Sequence, residues 1–390
     1  MGKTASKLFL VFITAILLSC NDPVFYLISQ EVPKIEPLIS GAPANFAKDS
    51  GGNIYTASGS SVFKYKNDSW TKENKPEGRI RQLAITDSFI YAVCDSGNNT
   101  PVLKRAALSD NLEWSSVSGI NNVQTIFAIA DTLYIHAQIV TGSEIKYTIY
   151  YLKDGSDFAA FTQQIDLDSR AQFLGAAFDG TNYYLCVNSV YFIDSSIEYK
   201  NGYFYSASQD FAANSFCELV SNEFMGIIRL GTGNTAAAIT RTGELYKAAA
   251  KESLEDSDII ARFGAEEERK ERKANGALAI WTNGVNNLLL AGRQDISYST
   301  NTGYTYGYLE VEFDSAGNMM EQTFRIPGEA GKISTISKRE RYVNSIGKNP
   351  VNHIIQAPSL DHSLIFASTQ KNGVWSYRLR DGDMQWNAEN

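Results

Sequence analysis

The apolar residues of this chain recur mostly at every second position, in short runs that break at Asp, Asn, Gly or Ser. A period of two puts successive side chains on opposite faces of a strand, and clusters of turn formers end it. Leu83-Ala84-Ile85, Phe89-Ile90-Tyr91, Leu133-Tyr134 and Val374-Trp375-Ser376-Tyr377 are runs of this kind. No stretch sustains a helical period. Aromatic residues make up 12% of the chain, and much of that is Tyr within alternating runs, which suits strands. The pattern predicts an all-β protein.

The runs also repeat. Leu83-Ala84-Ile85-Thr86-Asp87-Ser88 returns 44 residues later as Phe127-Ala128-Ile129-Ala130-Asp131-Thr132, and Trp70, Trp114 and Phe158 stand at the same interval. Each unit reads as a strand, an Asp-containing turn, a second strand with a central aromatic, a third strand, and an aromatic that opens a fourth. The turns are Asp49 to Asn53, Asp87-Ser88, Asp131-Thr132, Asp179 to Asn182 and Asp361 to Ser363. A carboxylate there accepts backbone N–H bonds across a tight turn, so the recurrence assigns these aspartates to turns rather than to catalysis. Third strands are expected at Val62–Tyr65, Val102–Lys104, Ile149–Leu152, Phe204–Tyr205, Leu245–Lys247, Ile296–Tyr298 and Val374–Tyr377.

Repeated four-stranded units point to a seven-bladed β-propeller of antiparallel blades over residues 41–390, with Trp70, Trp114 and Trp386 at blade junctions. Two segments break the period and read as insertions, at about 248–273 and 312–349. In the first, Glu266/Lys270 and Glu268/Arg272 stand at helical i,i+4 spacing. The second is expected to hold a hairpin of Leu309–Phe313 against Glu321–Ile326.

The amino terminus has a different character. Lys3 and Lys7 precede an apolar run from Leu8 to Leu18, which closes on Ser19 and Cys20. This is the layout of a secretory signal, and its core is too short to span a bilayer. Leu17-Leu18-Ser19-Cys20 resembles the lipobox of bacterial lipoproteins. The resemblance implies cleavage after residue 19, acylation of Cys20, and a short segment of residues 20–40 between anchor and propeller. With Asn rather than Asp at position 21, it also implies sorting to the outer membrane. Losing residues 1–19 removes two lysines and no acid, so the net charge goes from −8 to −10. Such a surface repels nucleic acid and anionic head groups, which leaves the lipid as the membrane contact.

Chemistry is sparse. Cys94, Cys186 and Cys217 are an odd set in apolar surroundings, read as core residues, with a Cys186–Cys217 disulfide as the alternative. His136, His353 and His362 are widely spaced, so neither a metal site nor a cofactor is expected. Ser299-Thr300-Asn301-Thr302-Gly303-Tyr304-Thr305-Tyr306 resembles the Asp box of sialidase-like propellers, in which Ser299, Asn301, Gly303, Thr305 and Tyr306 would be structural. Phe324-Arg325-Ile326-Pro327 is similar to an arginine-bearing motif of that family, but it follows the Asp box instead of preceding it. Phosphate-loop, nucleophile-elbow and zinc-helix motifs are absent from the sequence. The sequence therefore suggests a non-enzymatic, lipid-anchored binding or scaffold propeller of the cell envelope, with envelope proteins or glycans as partners. A sialidase-like glycan propeller and an outer-membrane assembly lipoprotein are the alternatives.

Overall fold

The second strand of every blade is buried on both faces, and this sets the architecture. The structure, a computed structural model, describes residues 38–389 apart from 98–99, 142–143, 155–161, 168, 194–196, 221, 232–233, 263–273, 283–286, 294–307, 314–350, 359–363, 371–372 and 381–382. It is a seven-bladed β-propeller. Blade 1 comprises Ala47–Lys48, Ile54–Ser58, Ser61–Lys66 and Ser69–Glu73. Blade 2 comprises Arg79–Ile85, Phe89–Asp95, Pro101–Ala107 and Ser115–Asn121. Blade 3 comprises Val123–Ile129, Thr132–Thr141, Glu144–Lys153 and Thr162–Leu167. Blade 4 comprises Gln172–Phe178, Tyr183–Ile193, Ile197–Ser206 and Ser215–Leu219. Blade 5 comprises Phe224–Arg229, Ala236–Thr240, Glu244–Lys247 and Ile259–Arg262. In blade 6 the described strands are Ala274–Thr282, Asn287–Arg293 and Tyr308–Phe313. Blade 7 comprises Val351–Gln356, Ile365–Thr369, Val374–Arg380 and Asp383–Ala388.

Each blade is an antiparallel meander, and the first strands of neighbouring blades adjoin, so they surround the ring axis. All first strands start on one side, here called the upper face. The turns joining second to third strands lie on that face, and those joining first to second strands lie on the lower one.

Seven apolar clusters fill the seven junctions between blades. Second-strand residues divide between two of them by parity. Ile90, Ala92 and Cys94 face blade 1, while Tyr91 and Val93 face blade 3. Ala236 and Ala238 face blade 4, while Ala237 and Ile239 face blade 6. The aromatic after each Asp turn is the plug of the following junction: Tyr55, Tyr91, Tyr134 and Tyr184, with Phe366 in the same role in blade 7.

The ring closes without strand exchange, because blade 1 comes wholly from the N-terminal side and blade 7 from the C-terminal side. Ile54, Phe63 and Tyr65 pack against Leu364, Phe366 and Val374 across that junction. The Tyr65 and Phe366 rings meet edge to face at 4.7 Å. A strap ahead of blade 1 adds backbone bonds: Leu38 N–H donates to Glu389 (3.2 Å), Val374 N–H to Ile39 (3.2 Å) and Gly373 N–H to Gly41 (2.9 Å).

Two sequence expectations are corrected. The third strand of blade 6 is Tyr308–Phe313, paired with Asn287–Arg293, and not Ile296–Tyr298, which lies outside the described residues. Leu309–Phe313 is thus blade rather than insertion, because Val311 and Phe313 fill the junction between blades 5 and 6. Likewise Ile259–Arg262, at the middle of the expected 248–273 insertion, is the fourth strand of blade 5. In the segment between it and the third strand, Ser253–Leu254 adds a parallel fifth strand to the outer edge of blade 4. Glu321–Ile326, the 266–272 charge run and Phe158 fall outside the described residues.

Trp70 and Trp386 lie in the fourth strands of blades 1 and 7 and Trp114 directly before that of blade 2, each leaning on the preceding blade. Trp70 lies at the junction of blades 7 and 1, Trp114 at that of blades 1 and 2, and Trp386 at that of blades 6 and 7. Trp386 is fully buried, whereas Trp70 and Trp114 are half-buried. Trp114 Nε1 donates to the Asn74 carbonyl at 2.9 Å. Trp386→Ala is therefore expected to lower stability by about 3–5 kcal/mol and Trp114→Ala by about half as much, compared by urea unfolding.

Candidate functional site

The first strands break strict alternation at one place. Ile80-Arg81-Gln82-Leu83, Val123-Gln124-Thr125-Ile126, Phe224-Met225-Gly226-Ile227 and Val351-Asn352-His353-Ile354 each carry two residues between apolar ones. In each, both flanking apolar residues enter the same junction. In a regular strand, residues three apart face opposite sides, so one extra residue must be inserted. The register shows it: a β-bulge leaves Arg81, Gln124, Leu174, Met225 and Asn352 without a cross-strand partner near the upper ends of blades 2, 3, 4, 5 and 7.

In blades 2 to 5 the residue after the bulge meets the next blade. Gln82 in blade 2, and Asn45 just ahead of the first strand of blade 1, act as clamps. Asn45 Nδ2 donates to Leu83 O and Leu83 N–H donates to Asn45 Oδ1, both at 2.7 Å. Gln82 bonds Ile126 in the same two-way fashion, at 2.7 and 3.0 Å. Thr125 Oγ1 donates to Phe173 O at 3.4 Å. These bonds satisfy backbone groups at the inner sheet edges that no ladder reaches. In blades 4 and 5 the position is Gly175 and Gly226. A Cβ on Gly226 would sit 3.2 Å from Gly276 O, so glycine allows the backbones this approach.

The bulged positions thus stand near the upper mouth in five of the seven blades, and they are not alike. Arg81 is exposed and its Nε lies 2.5 Å from Asp95 Oδ1. Leu174 and Met225 are half-buried and apolar. Blades 3 and 4 also rise above the rest, with second strands of 10 and 11 residues against five to seven elsewhere. The large apolar residues exposed among the described residues, Leu38 (47%), Ile145 (53%), Tyr199 (41%) and Val220 (63%), all stand on this face. Arg170 lies over the Tyr199 ring at 4.8 Å.

The lower face is built differently. Asp179 accepts from Thr181 N–H, Asn182 N–H and the Tyr184 hydroxyl at 2.8, 2.7 and 2.7 Å. Asp49 accepts from the Asn53 N–H at 2.8 Å and from its side-chain amide at 2.7 Å. These aspartates tie turns together and, for Asp179, hold a junction tyrosine. At the second blade the acceptor is not Asp87 but Asp154 of blade 3, which takes the Thr86 hydroxyl and the Ser88 N–H at 2.8 and 2.9 Å.

Cys94, Cys186 and Cys217 are free and buried, so Cys186 and Cys217 are not bridged. Burial pushes the Cys94 thiol up to about 12 and the Cys217 thiol to about 11. No group of His, Cys, Asp and Glu among the described residues could hold a metal ion. Cys20, the Asp-box residues Ser299, Asn301, Gly303, Thr305 and Tyr306, and Arg325 all lie outside the described residues. Sequence reading missed the bulged ring and the tall hairpins. The signal for the ring was the apolar–x–x–apolar interruption in each first strand.

No protein-family model matches the chain. No curated protein matches it either. Among solved structures the chain is similar to YCF48 bound to D1 peptide, at 8% identity and a TM-score of 0.48, covering 90% of this chain and 96% of that one. It is also similar to the extracellular domain of the putative one component system BT4673 from B. thetaiotaomicron, at 13% identity and a TM-score of 0.48. That likeness covers 89% of this chain and spans 40% of the other. A third is Saccharomyces cerevisiae Sqt1, at 11% identity and a TM-score of 0.46, covering 90% of this chain and 86% of that one.

His136 is a buried group with a testable consequence. It is 3% exposed, its Nε2 has no hydrogen-bond partner, and the Tyr147 ring lies 5.8 Å away. Burial lowers its pKa from 6.5 to about 4, and burial does the same to His353. Between those values the unfolded chain binds a proton that the folded chain does not, so stability falls as pH drops through this window. From about pH 6.5 to about pH 5 the loss is about 2 kcal/mol for one such histidine. His136→Phe should remove that share of the acid sensitivity, read as a smaller shift in urea midpoint between neutral and mildly acidic buffer.

Proposed function

We propose that the chain is an exported, lipid-anchored, non-enzymatic propeller of the bacterial cell envelope that holds a protein partner on its upper face. The observation that carries the choice of face is that the large apolar residues exposed among the described residues, Leu38, Ile145, Tyr199 and Val220, all stand on it. Single exposed apolar residues are ordinary, but a scattered set would fall on both faces. The tall hairpins of blades 3 and 4 make this the uneven, ligand-shaped side.

The non-enzymatic reading is supported by where the carboxylates stand. Hydrolysis of a glycoside ordinarily needs a carboxyl pair flanking the bond. The first strands, which surround the axis, contain no Asp or Glu, and Asp49, Asp154 and Asp179 are engaged in lower-face turns. The arginines of the upper mouth, Arg79 and Arg81, come from a single strand, and Arg81 is already paired. This is not a convergent clamp for a sugar carboxylate. Lipid anchoring rests on Leu17-Leu18-Ser19-Cys20 and the charged, apolar segment before it.

Two measurements test this reading. Cys20→Ser should abolish incorporation of a palmitate analogue and release the chain from detergent phase into the aqueous phase. Wild-type protein that takes no label would end the anchoring half. For the binding half, a photo-crosslinking residue at Tyr199 should capture envelope proteins in the native host, and one at lower-face Asp87 should not. The reverse pattern would refute the assignment of the upper face.

A further inference from the structure

On a chain with 43 acidic and 35 basic residues, the strands around the axis are the exception. Across all seven first strands the charged residues are Lys48, Arg79, Arg81 and Arg229, and neither Asp nor Glu occurs. Lys48 and Arg229 stand at the lower ends, Arg79 and Arg81 at the upper mouth. There Asp95 on the adjoining strand is joined to Arg81. Arg79 is exposed, stands in cross-strand register with Asp95, and forms no ion pair of its own among the described residues. Across the mouth from this cation, in blades 4 and 5, the bulged positions are Leu174 and Met225.

We infer that the upper mouth takes an acidic polypeptide segment, with a carboxylate on Arg79 and apolar side chains toward Leu174, Met225 and Tyr199. This rests on the upper-face reading above and names the chemistry of its partner. Charge complementarity gives the sign: at the mouth the first two strands of blade 2 bring two arginines against the single acid Asp95, on a protein that is otherwise net anionic. The apolar half of the ring favours polypeptide over an anionic sugar, since it offers burial to Leu- or Phe-like side chains instead of hydrogen bonds to hydroxyls. An anionic lipid surface would need a broad cationic face, and the upper rim also carries Glu218, Glu223 and Glu244.

The test is selection of a phage-displayed peptide library on the full-length chain in neutral-lipid nanodiscs, followed by fluorescence anisotropy of the enriched peptides. Enriched sequences should pair Asp or Glu with apolar residues. Arg79→Glu should weaken them by about tenfold or more, while Lys48→Glu at the lower end changes binding by less than about twofold. Polygalacturonate should compete poorly. The proposal fails if no sequence is enriched, if enriched sequences lack acids, if Arg79→Glu leaves them unchanged, or if the polysaccharide binds better. A crosslink from Tyr199 that persists in Arg79→Glu would preserve the upper-face reading while refuting the acidic segment. Loss of the crosslink in wild-type protein would refute both.

Discussion

A sheet with two apolar faces cannot exist alone in water, and each blade of this protein is such a sheet. Ile90, Ala92 and Cys94 on one side of a strand and Tyr91 and Val93 on the other all sit in dry junctions. Each blade therefore needs a neighbour on both sides, and only a closed ring provides one for the last as well as the first. The closing junction carries the whole arrangement, since it joins chain ends with no shared strand. Its aromatic packing, with Phe366 among Phe46, Tyr65 and Trp70, replaces the covalent continuity that the other junctions possess. The Leu38–Gly41 strap then holds the two terminal blades in register through backbone bonds.

Packing blades face to face around an axis creates seven inner sheet edges with no strand to pair them. Unpaired edge amides in a crowded centre are costly, and a ladder between first strands is geometrically unavailable. Asn45 and Gln82 answer this by presenting a side-chain amide that mimics a strand, donating and accepting at one backbone position of the next blade. Gln356 does the same toward Thr282 of the preceding blade. The bulge before Gln82, with its counterparts in blades 3, 4, 5 and 7, has a second consequence. It leaves one residue in each of these five blades out of the ladder, so the mouth can vary in chemistry while the ring does not.

Much of this was legible in the sequence because the turn and plug are local. An Asp turn followed by an alternating run with a central aromatic predicted five second strands, and Asp49 and Asp179 bond as that reading requires. Blade 6 was misread because its signals are weak. Asn287–Arg293 has no Asp turn or aromatic plug, and Tyr308–Phe313 lies far enough away to resemble an insertion. Asp87 shows a different limit. Its turn is stabilised by Asp154, 66 positions from Ser88, and such a substitution between blades leaves no trace in local spacing. The bulges left a trace that period-two reading treats as noise.

The same economy of carboxylates explains how a net anionic propeller can present a cationic axis. Asp49, Asp154 and Asp179 are used where backbone N–H groups need acceptors, at turns of the lower face. First strands have no such need at their interior. Their polar requirement is for groups that donate and accept at once, which an amide meets and a carboxylate does not. A first strand rich in Asn, Gln and Thr with acids excluded is thus a structural outcome of the clamps. Arg79 and Arg81 then meet Asp95 as the one acid of the first two strands of blade 2, so a modest number of cations sets the sign of the mouth. Function here is written in the residues that the clamping geometry leaves over.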